Sequence, residues 1–134
     1  MKRIAIALGL VAAGWGTAHA QDLSAGDAAN GEAVFRQCQA CHRIGPGARD
    51  AVGPVLNGVV GRPAASVEGY NYSNAMRESG LTWDEANLAA YLRSPSEKVP
   101  GGKMPFLGIK DDQNLADVIA YLKQFDAEGN QAAP

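Results

Sequence analysis

Two cysteines three positions apart, followed at once by a histidine, constrain this chain more than any other feature: Cys38-Gln39-Ala40-Cys41-His42. Both cysteines of the protein lie in this pentapeptide, and the only other histidine is His19. A disulfide across two intervening residues closes almost no loop and therefore constrains little of the unfolded chain. The C-x-x-C-H pattern instead has the form of a haem attachment site. Two thiols so spaced at a helix end lie on one side, where each can add to one of two neighbouring vinyl groups of a flat porphyrin. His42 then projects beneath the ring, and a neutral imidazole suits iron as its proximal ligand. Other readings compete for the same atoms. A thioredoxin-like dithiol also uses C-x-x-C, but near a βαβ pattern, whereas this chain reads as helices and loops. Structural zinc asks for four Cys or His ligands, and the chain beyond residue 20 offers three. A chance occurrence of the pattern is the remaining reading.

The first twenty residues have the form of a secretory signal peptide: Lys2 and Arg3, an apolar stretch from Ile4 to Ala13, and Ala18-His19-Ala20 as a small-x-small cleavage site. The apolar stretch is short for a hydrocarbon core of roughly 30 Å. The expectation is cleavage after Ala20, export, and a single domain over residues 21–134. Losing Lys2 and Arg3 leaves ten of the twelve basic residues against fourteen acidic ones, a formal charge of about −4. That balance argues against a nucleic-acid partner.

Asp27 can cap a first helix running to about Cys38, with Val34 and Phe35 on its apolar side. Gly31 inside it costs about 1 kcal/mol relative to alanine, tolerable where another backbone approaches closely. From Arg43 to Tyr72, glycines and prolines recur every few residues and helical character disappears. So long a loop in a small domain makes sense if it wraps a ligand that supplies its missing packing partner. Helical character returns over Ser73 to Ser79 and Asp84 to Arg93, the second with Thr82 and Glu85 in the order of a capping box. Pro95 stops that helix, Pro100-Gly101-Gly102 makes a turn, and Asp111 can start a last helix with the stripe Leu115, Val118, Ile119 and Leu122. The fold class predicted is all-α, helices and long loops wrapped around one covalent haem c.

The sixth iron position separates a carrier from a catalyst, because an open site binds small molecules and a filled one transfers electrons. Beyond residue 20 the methionines are Met76 and Met104. Met76 falls in a short helical stretch, where packing accounts for it. Met104 lies in an irregular segment between Gly102 and Pro105, able to close over the haem face opposite His42, and is the better candidate. A thioether is a soft ligand favouring Fe(II), and His42/Met104 ligation fits a one-electron carrier with no need for proton-transfer residues. The expectation is a protein that is not an enzyme.

With these residues in hand the chain resembles the class I cytochrome c family, in particular the cytochromes c2 of alphaproteobacteria. The likeness rests on Gly31 and Phe35, Cys38 to His42, Val52-Gly53-Pro54-Val55-Leu56, Gly61-Arg62, Gly69-Tyr70-Asn71-Tyr72, Gly80-Leu81-Thr82-Trp83, Tyr91-Leu92, Pro100-Gly101-Gly102-Lys103-Met104 and Ala120-Tyr121-Leu122. The resemblance implies that the Pro54 carbonyl accepts a hydrogen bond from the axial histidine, and that Arg62, Tyr72 and Trp83 reach a buried haem propionate. It also implies that Tyr91 lies near the methionine sulfur and that the first and last helices cross at Gly31. Two positions depart from it. Gly102 stands where many relatives have threonine, which removes one hydroxyl contact, and Met76 stands where many have asparagine. The family further implies a periplasmic shuttle, monomeric and forming transient complexes at the membrane surface. Its partners would be a cytochrome bc1 complex and a terminal oxidase or photosynthetic reaction centre, or a periplasmic dehydrogenase. Mitochondrial members have a strongly basic face, whereas here Arg36, Lys98, Lys103 and Lys110 are the candidates for a local positive rim.

Overall fold

In a computed structural model, residues 25–132 are described; the expected signal peptide lies outside them. Helix α1 spans Ala28–Phe35 and runs into a 3-10 turn at Arg36–Cys38. Helix α2 is Asn74–Glu78, α3 Glu85–Arg93, α4 Pro95–Lys98 and α5 Asp112–Lys123. Among the described residues the only strand-like features are two isolated bridges, Pro63 with Thr82 and Phe125 with Gln131. The all-α expectation therefore holds.

The helix starts follow from short polar side chains that satisfy orphan N–H groups. The Asp27 carboxylate accepts from the backbone of Ala29 and Asn30, Ser73 from Met76, and Asp111 from Asn114. At α3 the expected capping box is corrected. The cap is Asp84, whose carboxylate accepts from Asn87 N at 2.7 Å, while Thr82 uses its backbone carbonyl to accept from the Asn87 side chain. An ionised carboxylate is the stronger acceptor, and it also complements the helix dipole. Pro95 ends α3 as expected but also opens α4, because its missing N–H costs nothing in a first turn.

The core gathers where α1 crosses α5. Phe35, 1% exposed, meets Tyr121 with ring centroids 5.3 Å apart, and Leu115, Val118, Ile119 and Leu122 are all buried beside them. Gly31 makes the crossing possible: a Cβ there would lie 2.0 Å from the Asp117 carbonyl oxygen. Burying a side chain the size of Phe35 contributes about 2–3 kcal/mol, a gain that depends on the backbones coming this close. The packing thus fixes the end of α1, from which the 3-10 turn delivers Cys38.

Candidate haem site

Cys38 is the last residue of the 3-10 turn, and Cys41 and His42 both donate their backbone N–H to its carbonyl, at 3.1 and 2.9 Å. That turn holds the two thiols and the imidazole in a fixed relation. Both cysteines are free and half-buried. Burial, reinforced by Cys41, pushes the Cys38 thiol up to about 11. A dithiol redox centre needs its nucleophile shifted the other way. The direction of that shift runs against the thioredoxin reading, and no cluster of His, Cys, Asp or Glu suited to a metal ion occurs among the described residues.

His42 Nδ1 lies 2.8 Å from the Pro54 carbonyl. In the donating tautomer this hydrogen bond orients the ring, leaves Nε2 as the available donor to a metal, and raises its basicity. Burial is the largest influence on His42 and lowers its pKa. The Pro54 hydrogen bond acts in the opposite sense, and the Arg62 charge adds to the lowering. The neutral, ligating form is favoured. Gly53 packs on the ring so closely that a Cβ there would lie 2.4 Å from the imidazole Cε1, and Gly53 N donates to the Cys41 carbonyl at 2.8 Å. The loop after the motif thus clasps the histidine it follows.

The other residues singled out in the sequence form a continuous path away from His42. Arg62 donates through both terminal nitrogens, to the Val55 carbonyl beside Pro54 and to the Asn57 carbonyl, each at 2.9 Å. Its backbone pairs with Trp83, whose N–H donates to the Arg62 carbonyl at 2.9 Å. The Trp83 and Tyr91 rings pack with centroids 4.8 Å apart, and the Tyr91 hydroxyl is 3.8 Å from Met104 Sδ. The Tyr72 hydroxyl accepts from Val67 N at 3.1 Å, leaving its proton to donate elsewhere. Arg62 and Tyr72 influence each other electrostatically, so they share one neighbourhood. Arg62 does more than a propionate contact alone implies: two of its five N–H donors brace the loop, and three remain.

Two contributors escaped the sequence reading. Asn57, buried, spans Gly45 with both ends of its amide, accepting from its N–H at 2.8 Å and donating to its carbonyl at 3.0 Å. Asp117, 1% exposed, accepts from Asp27 N, from the Asn30 side chain and from the Gln113 side chain. A lone Asn in a Gly-rich loop carries no periodic signal. Asp117 does carry one, as an acid directly beside the apolar stripe of α5.

These residues fit a haem: two thiols and an imidazole on one turn, a braced loop behind the imidazole, and a half-buried thioether at the end of an aromatic path. A fold of this kind with this site defines a c-type haem protein. The comparisons agree. The family described as Cytochrome c matches residues 28–126. Cytochrome c2 of Blastochloris viridis is 49% identical over 131 residues, 98% of this chain and 99% of the relative. Cytochrome c2 of Rhodomicrobium vannielii is 53% identical over 122 residues, covering 91% and 95%. The solved structure of cytochrome cH from Methylobacterium extorquens superposes with a TM-score of 0.69 at 50% identity, covering 73% of this chain and 98% of the other. The chain belongs to the cytochrome c family and is of the cytochrome c2 type, a family of electron carriers. Its cofactor is haem c, for which Cys38 and Cys41 provide the attachment motif.

Proposed function

We propose that the protein is a periplasmic one-electron carrier whose haem iron takes His42 and Met104 as axial ligands. The observation that carries this reading is the placement of Met104 Sδ against the Tyr91 hydroxyl, at the far end of the path that begins at His42. A haem held by these residues would supply the one-electron chemistry. The chain's own residues do the rest. Pro54 orients His42, while Arg62, Tyr72 and Trp83 serve a propionate with donors that offset the cost of burying a carboxylate. Tyr91 places the thioether. A haem iron held by both His42 and Met104 would have no open position for a substrate, which supports a carrier rather than an enzyme.

Export follows from residues 1–20, and among the described residues no helix is long and apolar enough to cross a membrane. The proposed partners are a cytochrome bc1 complex and a terminal oxidase or photosynthetic reaction centre, or a periplasmic dehydrogenase passing electrons to an oxidase. The protein, a monomer, would meet each of them transiently. Arg36, Lys103 and Lys110 are exposed and Lys98 half-exposed, so they are available as a positive rim. Such a rim would steer encounter with an acidic partner in a salt-sensitive way.

Carbon monoxide tests the closed iron. The ferrous wild-type protein should take it up slowly at neutral pH, and Met104→Ala rapidly. Uptake by the wild type as fast as by the variant would overturn Met104 as a ligand.

A further inference from the structure

The segment carrying Met104 is tied to the C-terminal end of α3 by a reciprocal pair. Lys110 Nζ donates to the Arg93 carbonyl at 2.6 Å, and Arg93 Nη1 donates to the Lys110 carbonyl at 3.2 Å. Each cation thus holds the other residue's backbone. The second Arg93 nitrogen pairs with Asp112, in the first turn of α5. Between them, Ile109 N donates to the Leu92 carbonyl at 2.8 Å, and Gly108, at φ +103°, lies so close to Arg93 that a Cβ would sit 2.0 Å from its carbonyl oxygen. The attachment falls four to six residues after Met104 and one to two residues after Tyr91, the side chain against its sulfur. At the other end the loop has little side-chain tethering. Gly101 and Gly102 contribute none, and Lys103 alone reaches across, to the Asn71 carbonyl at 3.0 Å. The exposed Leu107, 91% accessible, adds no burial that would hold the segment down.

We infer that Arg93 and Lys110 are positioning residues for the sixth ligand: their reciprocal clamp sets how often the Met104 segment lifts from α3. The inference rests on Met104 being the iron's ligand. Its physical basis is that hydrogen bonds from charged donors to backbone carbonyls are among the stronger ones, though partial exposure reduces their worth. Removing both donors leaves the α3 end of the segment held by the Ile109 bond and by packing, with Lys103 still tethering the other end. The opening equilibrium should rise about tenfold in the double variant and about threefold in each single one.

The test uses the haem-loaded protein as Arg93→Gln, Lys110→Gln and the double variant, with Lys110→Arg as the conservative rescue. Lys123→Gln, which removes the surface pair with Glu85, controls for the loss of one positive charge. Three quantities are read: amide hydrogen exchange at Ile109, the long-wavelength ferric absorption that depends on sulfur ligation, and the carbon monoxide uptake rate of the ferrous protein. Expected are a roughly tenfold rise in exchange and uptake in the double variant with partial loss of the sulfur-dependent band, near-wild-type behaviour in Lys110→Arg, and no change in Lys123→Gln. Unchanged exchange at Ile109 in the double variant would overturn the clamp. Faster exchange with unchanged uptake would overturn its control of the ligand. A wild-type protein without the sulfur-dependent band would overturn Met104 ligation itself, while exchange at Ile109 would still decide the clamp.

Discussion

Asp117 shows how one buried side chain can hold two helices in register. Its carboxylate receives the Asp27 N–H, which belongs to the α1 cap, and the Asn30 side chain from the first turn of α1. Those donors, the Asn30 side chain first, hold its pKa below the ordinary carboxylate range despite burial. A depressed folded-state pKa means that the stabilisation is complete above the unfolded value of about 3.9 and is lost as pH falls through the folded value. Asp117→Ala should therefore cost about 2–3 kcal/mol at neutral pH, because it leaves donors without their charged acceptor. The difference from wild type should shrink below about pH 4, as followed by denaturant unfolding at a series of pH values. At this scale much of the haem site was legible in the sequence. Cys38, Cys41 and His42 declare themselves by spacing, because attachment chemistry needs them adjacent on one turn. Asp117 and Asn57 do not, since their partners lie on other segments and only folding brings them together.

Among the elements, the crossing of α1 and α5 is the one on which the rest depends. A methyl group at Gly31 would meet the Asp117 carbonyl at 2.0 Å and the Tyr121 Cβ at 2.8 Å, and backbone cannot rotate out of the way as a side chain can. Gly31→Ala should improve the intrinsic helix propensity of α1 by about 1 kcal/mol and still lose about 2–3 kcal/mol of stability overall. The denaturant midpoint of the haem-loaded protein reads this directly. A midpoint at or above the wild-type value would show that the crossing tolerates a Cβ. Helix positions are mostly visible in the sequence because Asp27 and Asp111 each precede a segment with an apolar face. The α3 cap lies at Asp84 and not at Thr82, since Thr82-Trp83-Asp84-Glu85 offers two candidate acceptor oxygens and local sequence does not decide which is nearer the first free N–H. Helix α4 was missed because a proline that ends one helix can equally begin another.

For the whole molecule, the loop from Gln39 to Ser73 is the element that no helix explains. It is held by scattered hydrogen bonds, such as the Tyr70 hydroxyl to the Val52 carbonyl at 2.7 Å and Leu56 N to the Arg43 carbonyl at 3.0 Å. A domain this small buries a limited fraction of its surface, so a covalently bound haem contributes strongly to its folded state. The double variant Cys38→Ala, Cys41→Ala, unable to attach haem, should not accumulate as a folded protein. A cooperative thermal transition by circular dichroism in that variant would contradict this. What the sequence determined by itself was local: the attachment motif, the helix starts set by capping side chains, and the apolar faces, all of which depend on neighbours a few residues apart. The contacts of Pro54 with His42 and of Tyr91 with Met104 were implied by the family resemblance and not by local pattern. Tertiary structure alone decided that Gly53 closes on His42, that Arg62 braces the loop, and that Arg93 and Lys110 clasp each other's backbone. These contacts span from about five to almost twenty residues along the chain, and such pairs depend on how intervening segments fold and pack.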